Sequence, residues 1–352
     1  MKFLIPGLLS LLPAIVQAQT PNWPTWDTPP TILPEHTELA KGIASIPANV
    51  PQRAPGAPPT CTQNPCNEDC GCWWTCGNCV APDDIVACPT PKVWGLTFDD
   101  GPSQNTTYIL DYLKQNNMKA MFCVVGSRVV QNPEILKRTY AEGHEICVHT
   151  WSHTALTSQS NDQVVAEIKW TEKAIYDTIG VVPKYMRPPF GDVDNRVRAI
   201  MRGLGYKIIL WNMDTSDWKL NSPDSNYNPD NVKQTFIDFI NTRVPTLQQG
   251  VISLEHDLRA EGVQQFPIAV DLMKTAGFSM ISVGQCLKDD NVYQGNSTSG
   301  NSGNTSSTGN ASNSANATGS NKPTTTGKSS ATQARATGIF SVVSIMAIYF
   351  LL

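Results

Sequence analysis

Between residues 91 and 290, short apolar segments alternate with stretches of helical periodicity. The clearest helix is predicted over 162–179, where Val165, Ile168 and Ile175 recur at the spacing of one helix face. Apolar segments with the length of buried strands cover 93–98, 120–125, 145–148, 206–210, 251–254 and 278–283. Strands that alternate with helices predict an α/β domain built on a parallel sheet or barrel.

Both ends of the chain carry targeting patterns. Residues 1–18 are typical of a signal peptide, with cleavage expected after Ala18. Residues 329–352 have the layout of a glycosylphosphatidylinositol (GPI) attachment signal, with Ser329 or Ser330 as the lipid anchor site before an uncharged apolar tail. A tail-anchored helix is the alternative, but the apolar span is short for one. These patterns predict a secreted protein that a lipid holds at the cell surface.

Ten cysteines in a chain with a secretion signal indicate disulfides. Seven of them cluster within residues 61–90. A zinc site is the alternative, because Cys76 and Cys79 have C-x-x-C spacing, but oxidation outside the cell would compete for those thiols. Disulfides are therefore the better interpretation, and their connectivity within the cluster does not follow from the sequence.

Composition divides the remaining chain into segments. The proline-rich residues 19–60 predict an extended arm that wraps the domain. We interpret 61–90 as a stapled extension of the 91–290 domain, while Trp73 and Trp74 suggest a small carbohydrate-binding knot as the alternative. Residues 291–328 are predicted to form a disordered stalk, because a segment rich in Asn, Ser, Thr and Gly cannot bury a core. Glycosylation sequons begin at Asn105, Asn296, Asn304, Asn310 and Asn316.

Polar signatures directly follow three of the predicted strands, where parallel α/β folds build their active sites. In Asp99-Asp100, one carboxylate could bind metal and the other move a proton, although an aspartate-glycine turn is the alternative. His149 and His153 are four residues apart, so we expect them on one face of a helical turn, within reach of one metal ion. His256 is a candidate general acid, or a histidine that merely caps its strand.

The combination of two imidazoles and one carboxylate indicates a catalytic metal centre. Such a ligand set leaves a coordination position for water, as catalytic zinc requires. Zinc is the expected divalent ion, and cobalt or nickel would also suit these ligands.

Five short motifs occur in a fixed order along the chain. They are Thr97-Phe-Asp-Asp, His149-x-x-x-His153, Arg187-Pro-Pro-Phe-Gly, Asp214-x-x-Asp217-Trp218 and Leu254-x-His256. This set resembles the motifs of the NodB-type polysaccharide deacetylases, carbohydrate esterase family 4, over roughly 93–283. The lipid-anchor signal and the stalk are similar to those of fungal GPI-anchored chitin deacetylases.

That resemblance implies a distorted (β/α) barrel and the hydrolysis of N-acetyl groups in chitin, with chitosan and acetate as products, in the remodelling of a cell wall. It implies a protein held at the plasma membrane or in the wall, and we expect a monomer. Acetylxylan or peptidoglycan as the polymer, or a non-catalytic wall mannoprotein, are the alternatives. The net charge of −4 gives no electrostatic case for a nucleic-acid partner.

The resemblance also assigns roles to the residues that prepare the attack on the substrate. Asp100, His149 and His153 would bind the metal. Asp99 would contact the substrate and take a proton from the attacking water, and Arg187 would hold Asp99 in position.

A second group of residues would act on the leaving group and the acetyl pocket. His256 would protonate the departing amine, with Asp217 orienting it. The backbone N–H of Phe190 would stabilise the oxyanion, while Trp218 and Leu254 would wall the pocket. Many relatives have tyrosine at the position of Phe190, so a hydroxyl contact to the substrate is lost here.

Disulfides can be predicted from the implied barrel. Cys88 precedes the first strand and Cys286 follows the last, and these ends come close in a barrel, so the two are expected to pair. Cys123 and Cys147 lie in consecutive predicted strands and could pair or remain free thiols.

Overall fold

The computed structural model describes residues 22–55, 71–220 and 226–295. The predicted signal peptide, the lipid-anchor sites Ser329 and Ser330, and the sequons from Asn296 onward lie outside the described residues. So do the cluster cysteines Cys61, Cys66 and Cys70.

The domain alternates strands with helices along most of its length. The strands are β1 Val93–Gly95, β2 Thr97–Asp99, β3 Met121–Val124, β4 Glu145–Val148, β5 Val182–Pro183, β6 Tyr185–Met186, β7 Lys207–Ile208, β8 Met213–Asp214, β9 Val251–Leu254, β10 Ser279–Ile281 and β11 Tyr293–Gln294. The helices are α1 Pro34–Gly42, α2 Trp74–Gly77, α3 Thr106–Gln115, α4 Gly126–Gln131, α5 Pro133–Ala141, α6 Asn161–Ile179, α7 Asn195–Gly203, α8 Pro229–Thr242, α9 Ala260–Val263, α10 Phe266–Thr275 and α11 Val283–Leu287.

Parallel pairing organises the strands. One sheet has the order β2-β3-β4-β6-β7 and another has the order β10-β1-β9-β8. Asp99 at the end of β2 bridges to His256 beyond β9, and the Asn212 N–H between β7 and β8 donates to the Ile252 carbonyl at 3.1 Å. The predicted parallel α/β fold is confirmed, and these links between the sheets are consistent with a distorted barrel.

Helix α6 is the element that the sequence specifies best. Ser160 caps its first turn by accepting a hydrogen bond from the Gln163 N–H, and Gly180 ends it in the left-handed region at φ 74°. Val165 and Ile168 are fully buried on its inner face. The helix begins one residue before the predicted start and ends at the predicted residue.

The N-terminal arm differs from the prediction of an extended segment, because it contains helix α1. This helix packs against α6, where the Thr37 hydroxyl donates to Asp162 Oδ2 at 2.8 Å and the His36 ring meets the Trp170 ring edge-on at 6.2 Å. Leu33 and Pro34 begin the helix, since proline suits a first helical position. The prolines of the arm predict an extended segment, whereas Pro34 marks a helix start.

Both tryptophans of the cysteine-rich extension pack onto the domain. Trp73 is buried and its Nε1–H donates to Asp192 Oδ1 at 2.8 Å. Trp74 lies against Gly191, where an added Cβ would come within 2.6 Å of the indole. The extension interpretation accounts for these contacts better than a separate carbohydrate-binding knot does.

Disulfides cross-link the domain at several points. Cys88 is bonded to Cys286, as predicted, with Cα atoms 5.5 Å apart. Cys123 pairs with Cys147 in direct register across β3 and β4, and Cys72 pairs with Cys79. Because Cys79 is consumed in a disulfide, the alternative of a zinc site at the C-x-x-C spacing does not hold.

The folded unit extends beyond the predicted domain boundary at residue 290. Strand β11, at Tyr293–Gln294, pairs antiparallel with β5, so the first residues assigned to the stalk belong to the sheet structure. Among the residues that the structure describes, no helix is both long enough and apolar enough to cross a membrane.

Candidate active site

The motif residues gather at one edge of the sheets. Asp99 ends β2, His149 directly follows β4, Arg187 directly follows β6, and His256 lies just beyond β9. Because the carboxyl ends of parallel strands meet at the same edge, residues far apart in the sequence come together there.

A cluster of three potential metal ligands lies at this edge. Asp100 Oδ1 is 3.1 Å from His153 Nε2 and 3.4 Å from His149 Nε2. One ligand atom from each residue lies within 4.8 Å of the others. Asp100 Oδ1 is buried and has no hydrogen-bond partner, which a divalent cation would explain. This donor set fits the catalytic type of zinc site.

Charge at the cluster also suits a cation. Burial raises the pKa of Asp100, but the neighbouring histidines, led by His153, outweigh it and hold this pKa well below its usual range. Burial lowers the pKa of His153 to about 4, so this imidazole is neutral near pH 7. His149 Nδ1 lies 2.7 Å from the Arg187 carbonyl oxygen. A proton held there leaves Nε2 with a lone pair that faces Asp100.

The two histidines lie in a loop, so the prediction that they share a helical turn was wrong. Thr150 and His153 both have left-handed backbone angles, at φ 64° and φ 57°. The His153 N–H donates to the Thr150 hydroxyl at 3.1 Å, which closes the loop locally. This backbone path turns both Nε2 atoms toward Asp100.

Glu167 on α6 anchors that loop, and the sequence reasoning missed it. Its Oε2 accepts the backbone N–H groups of Trp151 and Ser152 at 2.8 and 2.9 Å. Its Oε1 accepts the hydroxyls of Ser152 and Thr154 at 2.5 and 3.0 Å. Burial raises the pKa of Glu167, while these hydrogen bonds lower it. A carboxylate on the mostly apolar inner face of α6 was the available sequence signal.

Asp99 is held beside the metal cluster by a buried ion pair. Arg187 Nη1 donates to Asp99 Oδ1 at 2.8 Å and to the Thr97 hydroxyl at 2.9 Å. The other oxygen, Asp99 Oδ2, lies 3.9 Å from His149 Nε2. Both side chains of the pair are fully buried, so the arginine balances a carboxylate that would otherwise be costly to bury.

His256 forms a second oriented pair, with Asp217. Its Nδ1 lies 2.7 Å from Asp217 Oδ1, and its backbone N–H donates to Asp217 Oδ2 at 2.8 Å. Burial lowers the pKa of His256, but Asp217 outweighs burial and raises this pKa to about 10. The imidazole is therefore protonated near neutral pH and fixed in one orientation.

The remaining predicted site residues lie around these pairs. Phe190 adopts φ 59° and places its ring edge-on to His153, with ring centroids 4.7 Å apart. Leu254 is buried at the end of β9. Trp218 is 52% exposed, and its Nε1–H lies 3.3 Å from Asp214 Oδ1.

Two further buried carboxyls flank His256; they belong to the same sequence signature, which assigned them no role. Burial raises the pKa of Glu255 to about 8, although Ser253 donates a hydrogen bond to it at 2.7 Å. Burial likewise raises the pKa of Asp257 to about 7, despite a hydrogen bond from Thr106 at 2.6 Å. Both carboxyls support the strand end that carries the histidine.

The sequon residue Asn105 lies close to the same strand end. It is half-buried before α3, and its Nδ2 donates to the Leu258 carbonyl at 2.8 Å.

Comparisons with known proteins identify the family of this chain. A family profile described as polysaccharide deacetylase matches residues 87–209. Chitin deacetylase 1 of Cryptococcus neoformans var. grubii is 38% identical over 283 residues, which is 76% of this chain and 59% of that protein. Chitin deacetylase 1 of Saccharomyces cerevisiae is 33% identical over 268 residues, which is 76% of this chain and 80% of that protein.

A solved structure supports the same assignment. The chitin deacetylase of Colletotrichum lindemuthianum is 32% identical with a TM-score of 0.55, covering 61% of this chain and 97% of that one. The chain spans only 48–59% of the length of three of its fungal relatives, while the yeast relative is matched over most of its length. On these matches the chain belongs to the polysaccharide deacetylase family.

Proposed function

We propose that this protein is a metal-dependent deacetylase that hydrolyses the N-acetyl groups of N-acetylglucosamine residues in chitin, giving chitosan and acetate. One observation carries the proposal: a buried Asp–His–His cluster lies beside a carboxylate held by arginine and near a histidine held by aspartate. Metal-assisted hydrolysis of an amide needs a cation site, a base and an acid, and this edge of the sheets offers all three. The names of the fungal relatives support chitin as the polymer.

The metal ligands in this proposal are Asp100, His149 and His153. A divalent cation bound there would polarise the acetyl carbonyl and lower the pKa of a water molecule. We propose zinc, because two imidazoles and one carboxylate suit it, with cobalt or nickel able to substitute.

Asp99 acts as the base in this scheme. Its Oδ1 is occupied by Arg187, so Oδ2 remains to contact the substrate and to take a proton from the attacking water. The ion pair keeps the carboxylate in a fixed position while it is buried. Removing either partner would leave a buried charge without compensation.

His256 acts as the general acid. An amide cannot expel a bare nitrogen anion, so the departing amine must receive a proton as the C–N bond breaks. Asp217 holds the imidazolium by Nδ1 at 2.7 Å, which leaves the Nε2–H to donate that proton.

The acetyl group lies between three further residues in this scheme. The Phe190 backbone N–H stabilises the oxyanion, while Trp218 and Leu254 wall the pocket. Phenylalanine in place of the family's tyrosine removes a hydroxyl contact and leaves the backbone donor unchanged.

We further propose that the chain is secreted as a monomer and held at the plasma membrane or cell wall, where it would remodel chitin. The segments are a signal peptide over 1–18, an arm over 19–60 and an extension over 61–90. They continue with a catalytic domain from residue 91 through strand β11, a glycosylated stalk from there to residue 328 and a lipid-attachment signal over 329–352. The supporting features are the two end signals and the sequons.

Acetate release from defined polymers tests the function. The purified protein should release acetate from chitin oligosaccharides faster than from acetylxylan or peptidoglycan. Acetate release should stop when a chelator is added and should recover when zinc is added. Faster release from acetylxylan or peptidoglycan would change the substrate while keeping the chemistry. No release from any of the polymers would favour the alternative of a non-catalytic wall protein.

A further inference from the structure

The N-terminal arm contacts the loop that carries both cluster histidines. Trp23 stacks on Trp151, which lies between His149 and His153 in the chain, with ring centroids 5.9 Å apart and an interplanar angle of 18°. The Trp151 Nε1–H donates to the Thr25 carbonyl at 3.1 Å. One end of a short arm segment is therefore fixed against the metal-binding loop.

The next contact fixes the same segment against a second part of the site. Asp27 Oδ2 lies 3.7 Å from Arg128 Nη2, and its Oδ1 lies 3.5 Å from the Ser127 hydroxyl. Arg128 Nη1 in turn donates to the backbone carbonyl of Asp100 at 2.8 Å. The arm thus reaches a cluster aspartate through one arginine.

Trp26 lies between these two attachments. Thr25 and Asp27 are its chain neighbours, so its backbone is held from both sides, by Trp151 of the metal-binding loop and by Arg128. The path of contacts from Asp27 to Asp100 limits their separation to roughly 15 Å between Cα atoms. Trp26 is nevertheless 52% exposed. A large aromatic side chain whose flanking residues are fixed and whose surface is open to solvent is available to bind a ligand.

We propose that Trp26 is a sugar-binding platform that takes a pyranose ring of the acetylated polysaccharide, outside the sugar whose acetyl group is removed. This proposal rests on the proposed function, because that function supplies the polymer. The C–H groups on one face of a pyranose carry partial positive charge and pack on the electron-rich face of an indole. The uncharged ring suits a neutral polymer such as chitin.

The arm's attachments make the platform specific for longer chains. A single reacting sugar at the metal cluster does not extend to Trp26, whereas a polymer that continues beyond the cluster along the rim does. Trp26 lies before residues 87–209, which the family profile matches, so this platform is a feature of the arm and not of the matched core.

Tyr176 provides a matched control. It is also an exposed aromatic, at 55% exposure, but it lies near the end of α6, on the connection from β4 to the parallel strand β6. A helix that connects parallel strands ends at the edge where the strands begin, which is opposite to the active-site edge. Tyr176→Ala therefore removes an exposed ring that the polymer cannot reach from the metal cluster.

The test measures binding and hydrolysis separately in the full chain. Affinity for chitin hexasaccharide and disaccharide is measured by calorimetry for the wild type, Trp26→Ala, Trp26→Phe and Tyr176→Ala, and acetate release is followed in parallel. Trp26→Ala should weaken hexasaccharide binding by about tenfold, as expected for loss of one stacking contact. Disaccharide binding and kcat should be unchanged. Trp26→Phe should recover part of the affinity, and Tyr176→Ala should match the wild type.

Equal hexasaccharide affinity of Trp26→Ala and the wild type would overturn the platform, as would equal losses for both oligosaccharides. Absence of hexasaccharide binding by the wild type would also overturn the platform. Hexasaccharide binding that depends on Trp26 without any acetate release would instead overturn the proposed function and leave the platform standing.

Discussion

Replacing Glu167 by alanine should weaken metal binding, because this buried carboxylate organises the loop that carries His149 and His153. It accepts the backbone N–H groups of Trp151 and Ser152 at 2.8 and 2.9 Å. Without an acceptor, each of these two buried donors costs about 1–3 kcal/mol, so the free energy of unfolding should fall by roughly 2–6 kcal/mol. Supporting residues of this kind typically change metal affinity by about 10–100-fold.

A second variant separates the role of Glu167 in the loop from its role in folding. Glu167→Gln keeps one oxygen for the two N–H groups and offers an NH₂ group to the Ser152 and Thr154 hydroxyl oxygens, so its losses should be smaller. Asp177→Ala is the control, since Asp177 lies on the same helix and pairs at the surface with Lys173.

The assay is zinc titration against a competing chelator, with circular dichroism to establish that each variant is folded. Affinity should fall in the order wild type, Glu167→Gln, Glu167→Ala, and Asp177→Ala should equal the wild type. A folded Glu167→Ala protein that binds zinc as tightly as the wild type would refute the reasoning.

The other predictions concern a disulfide, the dependence on pH and the division of catalytic roles. Replacing both Cys88 and Cys286 by alanine should lower the free energy of unfolding in guanidinium chloride by roughly 3–5 kcal/mol, because the bond closes a loop with a sequence separation of 198; an unchanged midpoint and slope would contradict this. Burial lowers the pKa of His256, but Asp217 raises it to about 10. Because Asp217→Asn removes the charge that raises this pKa, the basic limb of the plot of kcat/KM against pH should move to lower pH. In the metal-free protein, the stability that this pair adds should be complete below His256's ordinary pKa of 6.5 and be lost as the pH rises through about 10. His256→Ala should slow amide hydrolysis by about 10²–10⁴-fold and hydrolysis of an activated aryl acetate much less, whereas Asp99→Asn should slow both equally; equal ratios in metal-loaded variants would disprove the division of roles.

The parts of the fold and site that the sequence predicted are those set by local pattern. Helix α6 has a serine cap, an apolar stripe and a terminal glycine, so each local signal agreed with its final position. The aspartate pair, the two histidines and His256 were recognisable because they follow apolar strands, and parallel strands end at one edge. The topology of parallel strands brings these residues to the same edge.

The parts that were missed depend on contacts between distant segments. The histidine loop is shaped by the left-handed backbone angles of Thr150 and His153. Glu167, which lies at least fourteen residues further along the chain, stabilises this loop. The spacing of the two histidines in the sequence does not reveal these angles. The prolines of the arm indicate an extended segment, but Pro34 begins a helix because α1 has a surface of α6 to pack against. The contact between Arg128 and Asp27 likewise has no sequence signature.

The most direct test of the central claim is the metal content of the purified protein with and without His149. The wild type should contain one divalent ion per chain and release acetate from chitin oligosaccharides. His149→Ala should remain folded, contain no stoichiometric metal and release no acetate, while His144→Gln, which alters a buried histidine outside the cluster, should retain both properties. Full metal occupancy in folded His149→Ala would contradict the assignment of Asp100, His149 and His153 as the catalytic metal site.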